Sequence, residues 1–242
     1  LSVFLVVIGL ANLFGVDPYK SFWSNYQRMD GFINLLHLFV YFLVASSVLN
    51  TKKLWNVFLN VSVFSSLIMC VYGFYQLAGK IEIRQGGVRL DGTLGNAIYL
   101  AVFMLINIFF AIFLFVRAVE RRSEQKILNK KANIKTPDDL IVDNWHYTYI
   151  PIIILQFVIL YKTATRGSML GLLGGLFITT LFIAIFERVS KKIRFSAIAA
   201  IVLLLITVGG FWMVRESNFV KQSPTLARFS SLSIDEIKTQ GR

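Results

Sequence analysis

Long apolar runs that contain no Asp, Glu, Lys or Arg alternate along this chain with short polar segments, and this pattern constrains the fold more than any motif does. Several runs approach the roughly 20 residues that a helix needs to cross the hydrocarbon core of a bilayer. A backbone inside that core must satisfy its own hydrogen bonds, which a helix does within one segment. The sequence therefore predicts an all-α fold, a polytopic transmembrane helix bundle with about seven spans, the first of them truncated.

Polar or basic loops separate the predicted spans. The spans comprise residues 1–14, 32–49, 56–78, 97–116, 147–161, 168–186 and 195–214. We expect residues 1–214 to form the transmembrane bundle and residues 215–242 to begin a large outer (periplasmic) loop, itself truncated. A capping-box spacing, S-x-x-E from Ser233 to Glu236, predicts a short helix in that loop. We also expect the chain to be a piece of a longer protein, because it starts without Met and its first span is short.

Composition and charge support a membrane protein. Hydrophobic residues make up 56% of the chain, and the mean hydropathy is +0.65. The formal net charge is +12, which in a soluble protein would favour a nucleic-acid partner. Here the basic residues lie mostly in loops between spans, so we expect contact with membrane lipid and no nucleic acid.

The distribution of Lys and Arg predicts which side of the membrane each loop occupies. Loops after the second, fourth and sixth spans hold thirteen basic residues, and those after the first, third and fifth hold seven. By the positive-inside rule the thirteen-residue side is cytoplasmic. The five basic residues of the tail fall on the opposite side, but long translocated segments obey this rule poorly.

Residues that bind metals are sparse. Cys70 is the sole cysteine and lies inside an apolar run, which excludes a disulfide framework and a thiolate metal cluster. The histidines, His37 and His146, are too far apart in sequence to predict a metal site. We therefore expect no metal and no cofactor. His37 lies within a span, where a hydrogen bond to a neighbouring helix is a simpler interpretation than proton transfer.

An arginine stands just before each of three predicted spans that begin at the outer surface. Arg28 precedes the second span, Arg89 the fourth and Arg166 the sixth. Helix N-termini and guanidinium groups both favour anions, and guanidinium binds phosphate through two parallel hydrogen bonds. This set suits a phosphorylated ligand at the membrane surface. The alternative is that each arginine reaches the lipid headgroups or pairs with a neighbouring aspartate.

Several polar motifs between spans resemble those of one bacterial family. They are Phe22-Trp23-Ser24 with Gln27-Arg28-Met29-Asp30-Gly31, Arg89 with Gly92-Thr93-Leu94-Gly95-Asn96, Thr163-Ala164-Thr165-Arg166-Gly167, and Gln240-Gly241-Arg242. In order and placement they resemble the O-antigen ligase and O-antigen polymerase superfamily. Ala97 stands where many relatives have proline, which is a mild departure.

The resemblance implies a membrane glycosyltransferase or ligase of the bacterial plasma (inner) membrane. Such an enzyme transfers a glycan from an undecaprenyl-diphosphate carrier to a lipid or glycan acceptor hydroxyl at the outer face. It further implies that Arg89, Arg166, Arg242 and Arg28 bind the diphosphate. The family's outer-loop histidine has no counterpart here, so we expect the general base beyond Arg242 and residues 1–242 alone to be inactive.

A transporter or flippase of lipid-linked glycan is the alternative, because it would also need outward-facing cations. Ion-coupled transport usually places an acidic residue at mid-membrane depth or interrupts helices with Gly and Pro. The second to seventh spans contain no Asp, Glu, Lys or Arg, and Pro151 lies near a helix end. This pattern favours glycan transfer over transport.

Overall fold

The computed structural model describes residues 1–25, 30–84, 87, 89–132, 145–186, 191–218, 220 and 226, and within them the chain is helical without a β-strand. Eight α-helices are present in these residues: α1 (Ser2–Leu13), α2 (Pro18–Trp23), α3 (Phe32–Val48), α4 (Lys52–Leu77), α5 (Ala97–Ala132), α6 (Tyr149–Lys162), α7 (Arg166–Phe186) and α8 (Lys191–Val214). Short 3₁₀ turns, Gly92–Leu94 and Trp145–Thr148, precede α5 and α6. The expected all-α class is confirmed for the described part.

Four helices are long and apolar enough to cross a membrane. They are α4, α7, and the apolar parts of α5 (Ala97–Arg122) and α8 (Ile193–Val214). The other apolar helices, α1, α3 and α6, are shorter. The 14 residues of α6 rise about 21 Å, less than the roughly 30 Å hydrocarbon core. Helix length and composition thus support four of the seven expected membrane spans. The total of seven remains a prediction.

Two segments expected to be loops contain helix. Asp17 caps α2, because its Oδ1 accepts the Lys20 N–H at 3.0 Å and Pro18 follows at the first helical position. The basic segment after residue 116 continues α5 as far as Ala132. Residues 117–132 include the good helix formers Arg, Glu, Gln, Lys and Leu and contain no Gly or Pro. The start of this segment is therefore helical, whereas a loop was expected there.

The chain divides into two compact units, residues 1–58 and 59–242. In the first unit α1, α2 and α3 contact one another, and the rings of Phe22 and Phe32 lie 6.1 Å apart between centroids. A Cβ at Gly31 would overlap the Phe22 carbonyl, so this approach of α2 to the start of α3 requires glycine. The α8 helix ends at Val214, and most residues beyond it lie outside the described ones, so the domain boundary at residue 214 stays a prediction.

The core of the second unit forms around α5, which packs against α6 and α7. Leu100, Met104, Ile159 and Leu160 are fully buried there. Glycine permits close helix packing at two of three positions on α7. A Cβ at Gly171 would lie 3.3 Å from Leu105 Cδ2 and one at Gly175 would lie 2.6 Å from Phe109 Cζ, whereas Gly174 faces open space.

Three hydrogen bonds between side chains join α4 to α5 and to α6. We call the residues that form them the polar seam. The Tyr149 hydroxyl donates to Asn60 Oδ1 at 2.9 Å, the Ser62 hydroxyl to Asn107 Oδ1 at 2.9 Å, and Gln156 Nε2 to Ser66 Oγ at 2.6 Å. Interhelical bonds of this type hold helices together in hydrocarbon, where apolar side chains gain little by leaving lipid. The seam fixes α4 and α6 beside α5.

Candidate functional site

The loop before α5 and the turn between α6 and α7 meet at one end of the second unit. We call residues 89–96 the Arg89 loop and residues 163–165 the α6–α7 turn. Arg89 Nε donates to the Thr163 carbonyl oxygen at 3.0 Å, and its Nη2 donates to Thr165 Oγ1 at 3.1 Å. The Leu90 N–H points to the Lys162 carbonyl at 3.4 Å. Two segments more than 70 residues apart are thereby joined through one guanidinium.

The α6–α7 turn is compact because its polar groups form hydrogen bonds with the adjoining helix ends. Thr163 ends α6, with its N–H donating to the Ile159 carbonyl at 3.1 Å and its hydroxyl to the Leu160 carbonyl at 2.6 Å. Ala164 then adopts a φ of +50°, a left-handed conformation that an L-residue rarely takes. This reverses the chain within three residues. The Thr165 carbonyl accepts the Met169 N–H at 3.3 Å and so begins α7.

Gln76, near the end of α4, also holds the Arg89 loop in place. Its Nε2 donates to Asp91 Oδ1 at 2.7 Å and to the Glu82 carbonyl at 3.1 Å, while its Oε1 accepts the Gly92 N–H at 3.0 Å. Gln76 and Asp91 are both buried. The loop is therefore anchored to α4 by an amide and to the α6–α7 turn by a guanidinium.

The glycines and asparagine of the Arg89 loop have structural roles. Gly92 has a φ of +58°, and a Cβ there would lie 3.1 Å from Met69 Cε and 3.2 Å from Leu100 Cδ1. Gly95 also has a positive φ, +67°. Asn96 Oδ1 accepts the Ile98 N–H at 2.8 Å, the bond of an N-cap residue at the start of α5. The motif thus makes a tight turn that leads directly into α5.

Arg166 is the first residue of α7, directly after the threonine that Arg89 contacts. Both arginines are half-buried, and both lie at the same end of the second unit. Each precedes or begins a helix whose first N–H groups point toward that end. Two positive charges and two helix N-termini therefore lie at the same end of the second unit, which suits an anionic group.

The other predicted site residues have different outcomes. Arg28 and Arg242 lie outside the described residues, as does the helix predicted at Ser233. His37 Nδ1 lies 2.8 Å from the Ile33 carbonyl of its own helix, and the expected bond to a neighbouring helix is not found among the described residues. No group of three His, Cys, Asp or Glu side chains able to hold a metal occurs among the residues that were described.

Sequence reasoning missed Gln76 and the polar seam. The spans were recognised by their lack of charged residues, but they also contain the amides Gln76, Asn107 and Gln156. A polar side chain in a membrane span carries a free-energy penalty unless it finds a partner. These amides were therefore the available signal. Their partners, however, lie on other helices and cannot be read from the sequence.

Comparison with models of protein families finds no match, and neither the curated proteins nor the solved structures that were compared match the chain.

Proposed function

We propose that this protein transfers a glycan from an undecaprenyl-diphosphate carrier to an acceptor hydroxyl at the outer face of the bacterial plasma membrane. One observation supports it most. Arg89 donates to Thr163 and Thr165, so two of the family-like motifs meet at the end of the bundle where Arg166 begins α7. The four helices that can cross a membrane support a location in the lipid bilayer, where such a carrier resides.

The chemistry accounts for the need for arginine. The acceptor oxygen attacks the anomeric carbon of the glycan, and the bond between that carbon and the phosphate oxygen breaks. The electron pair of this bond passes to the diphosphate, and a base takes the acceptor's proton. Negative charge therefore develops on the leaving diphosphate, where positioned guanidinium groups and helix N-termini stabilise it. Arg89 and Arg166 are assigned this role, and the base is not assigned.

The position of Arg89 would be fixed before substrate binds. Its Nε and Nη2 bonds to the α6–α7 turn restrict the orientation of the guanidinium plane, and Gln76 restricts the loop that carries it. A group fixed before reaction does not have to reorganise as charge develops. Lysine at the same position would keep the charge but lose the planar set of donors.

The test is to replace each arginine by lysine in the full-length protein and to follow glycan transfer from the lipid carrier in membranes. We expect Arg89→Lys and Arg166→Lys to lower the initial rate about ten-fold or more, because a hydrogen bond to a charged group contributes roughly 1.5–3 kcal/mol. Arg84→Lys is the matched control, since Arg84 is exposed in the segment between α4 and the Arg89 loop. Full activity of both site variants would contradict the proposal.

A second readout separates transfer from transport. Loss of a transferase leaves the lipid-linked glycan accumulating at the outer face, whereas loss of a flippase leaves it at the inner face. Accessibility of the accumulated glycan to an impermeant lectin in intact spheroplasts distinguishes the two. Accumulation at the inner face in the Arg89→Lys strain would replace the proposed transferase by a flippase.

A further inference from the structure

An apolar groove of about 350 Å³ lies on the second unit where α6, α7 and α8 meet. Phe157 and Tyr161 of α6, Leu173 of α7, and Trp212 of α8 contribute to its walls, and Arg215 lines it just after α8 ends. The volume is at the lower end of the roughly 300–1,000 Å³ usual for ligand pockets. Leu170 and Trp212 are about half exposed, so the groove opens at the surface of the unit.

The walls offer little to a polar ligand. Thr207 is one of the few polar residues in the groove, and its hydroxyl already donates to the Leu203 carbonyl of α8 at 2.8 Å. The remaining wall residues on α7 and α8, apart from Arg215, are apolar or aromatic. A hydrocarbon chain is the ligand that fills such a surface without leaving a polar group unpaired.

The positive charge is confined to one end of the groove. The Arg215 guanidinium carbon lies 4.8 Å from the centre of the Trp212 ring. Its Nη2 is 3.7 Å from Glu216 Oε1, but the Glu216 side chain is 82% exposed, and a solvated pair of this length holds its partner weakly. Lys162 and Arg166 lie at the same end, because they end α6 and begin α7. The groove is therefore apolar along its length and cationic at its mouth.

We propose that this groove binds one acyl chain of an anionic glycerophospholipid and that Arg215 binds the lipid phosphate. Tryptophan and arginine at the end of a membrane helix lie at the depth of the headgroups, which places phosphate beside Arg215 when the chain runs along the groove. This inference does not depend on glycan transfer.

Quenching of Trp212 fluorescence by brominated lipids tests the proposal directly. The full chain with Trp23→Phe, Trp55→Phe and Trp145→Phe retains Trp212 as its sole tryptophan. It is placed in phosphatidylcholine vesicles that contain increasing fractions of phosphatidylglycerol brominated on the acyl chain, or of equally brominated phosphatidylcholine. We expect brominated phosphatidylglycerol to quench at a lower fraction and to saturate as one site.

Two further variants assign that binding to the groove. Arg215→Gln should reduce the preference for phosphatidylglycerol about five-fold, because one arginine near an anionic surface contributes roughly 1 kcal/mol. Arg194→Gln, at the other end of α8, should leave the preference unchanged. Thr207→Phe should fill the groove and reduce saturable quenching, while circular dichroism shows that the helices are intact.

Three outcomes would overturn the proposal. Equal quenching by both lipids means that Trp212 meets ordinary surrounding lipid. Weak quenching by both means that protein covers the groove. Displacement of brominated phosphatidylglycerol by a much smaller fraction of polyprenyl phosphate means that the groove takes an isoprenoid chain and not an acyl chain.

Discussion

The Nη2 of Arg89 lies 3.1 Å from the Thr165 hydroxyl oxygen, although 76 residues separate the two in sequence. Thr165 is 8% exposed and directly precedes Arg166, so this bond couples the position of one arginine to the start of the helix that carries the other. The hydroxyl also lies 3.4 Å from the Ala97 carbonyl at the start of α5. One threonine thus contacts both helix starts of the candidate site.

Replacing Thr165 tests this coupling. Thr165→Val keeps the shape of the side chain but removes the acceptor of the Arg89 Nη2 bond, and we expect the rate of glycan transfer to fall about ten-fold. Thr165→Ser retains the hydroxyl and should retain most of the activity. The rates are compared at equal amounts of membrane-inserted protein. Equal rates for the two variants would show that the bond does not position Arg89.

Gln76 should matter for stability as well as for the loop. Gln76→Leu removes its bonds to Asp91, Gly92 and the Glu82 carbonyl, and we expect unfolding to become easier by about 1–3 kcal/mol. The sole cysteine, Cys70, is 1% exposed in the core of the second unit, so its reaction with a fluorogenic thiol reagent during heating reports unfolding.

The control for Gln76 is Ser65→Ala on the same helix. The Ser65 hydroxyl donates to the Val61 carbonyl of α4 itself, so its removal should change the midpoint of the thiol reaction little. A midpoint for Gln76→Leu that equals that of Ser65→Ala would refute the anchoring role of Gln76.

Gly174 and Gly175 are adjacent on α7 but have different surroundings. A side chain at Gly175 must displace the Phe109 ring, whereas one at Gly174 meets open space. We expect Gly175→Leu to destabilise the fold by about 1–3 kcal/mol, as overpacking usually does. Gly174→Leu should be neutral or slightly stabilising, because glycine is a poor helix former. The thiol reaction of Cys70 during heating measures the stability of both variants. A Gly174→Leu protein less stable than Gly175→Leu would contradict the packing of α7 on α5.

Gln156 is fully buried, and its Oε1 meets no hydrogen-bond donor among the described residues, while its Nε2 donates to Ser66. Gln156→Leu removes an unsatisfied acceptor together with the bond, so we expect it to change stability by less than about 1 kcal/mol. Ser66→Ala instead removes the acceptor of Nε2 and should destabilise by about 1–3 kcal/mol. The temperature at which half of Cys70 has reacted during heating, measured for the two single variants and the double variant, checks this difference. A larger loss for Gln156→Leu than for Ser66→Ala would be inconsistent with it.

Much of the fold follows from local sequence. The predicted spans and the observed helices overlap at all seven places, with ends that differ by a few residues except at α5. The α5 helix passes its predicted end by 16 residues, because good helix formers continue beyond the apolar run. The loss of hydropathy after residue 116 predicted a loop, but helix propensity continues the helix. The short α2 was missed although Asp17 and Pro18 form a helix-start signal.

The candidate site was predicted in part. The sequence singled out Arg89 and Arg166 because each stands beside a helix start, and the fold places them at one end of the second unit. It did not indicate that Arg89 would bond to Thr163 and Thr165, or that Gln76 would hold the loop from α4. Thr163 and Thr165 belong to the α6–α7 turn, and Gln76 belongs to α4. No local sequence pattern predicts that these residues lie close to the Arg89 loop.

The sequence by itself determined the helical class and the positions of the apolar helices, because hydrocarbon excludes charge and forces each backbone segment to satisfy its own hydrogen bonds. The tertiary structure alone decided which helix faces meet. In a membrane protein the faces toward lipid and toward neighbouring helices are both apolar, so periodicity does not separate them. The pairing of α4 with α6 through Ser66 and Gln156, and of the Arg89 loop with the α6–α7 turn, therefore became visible only when the helices were packed.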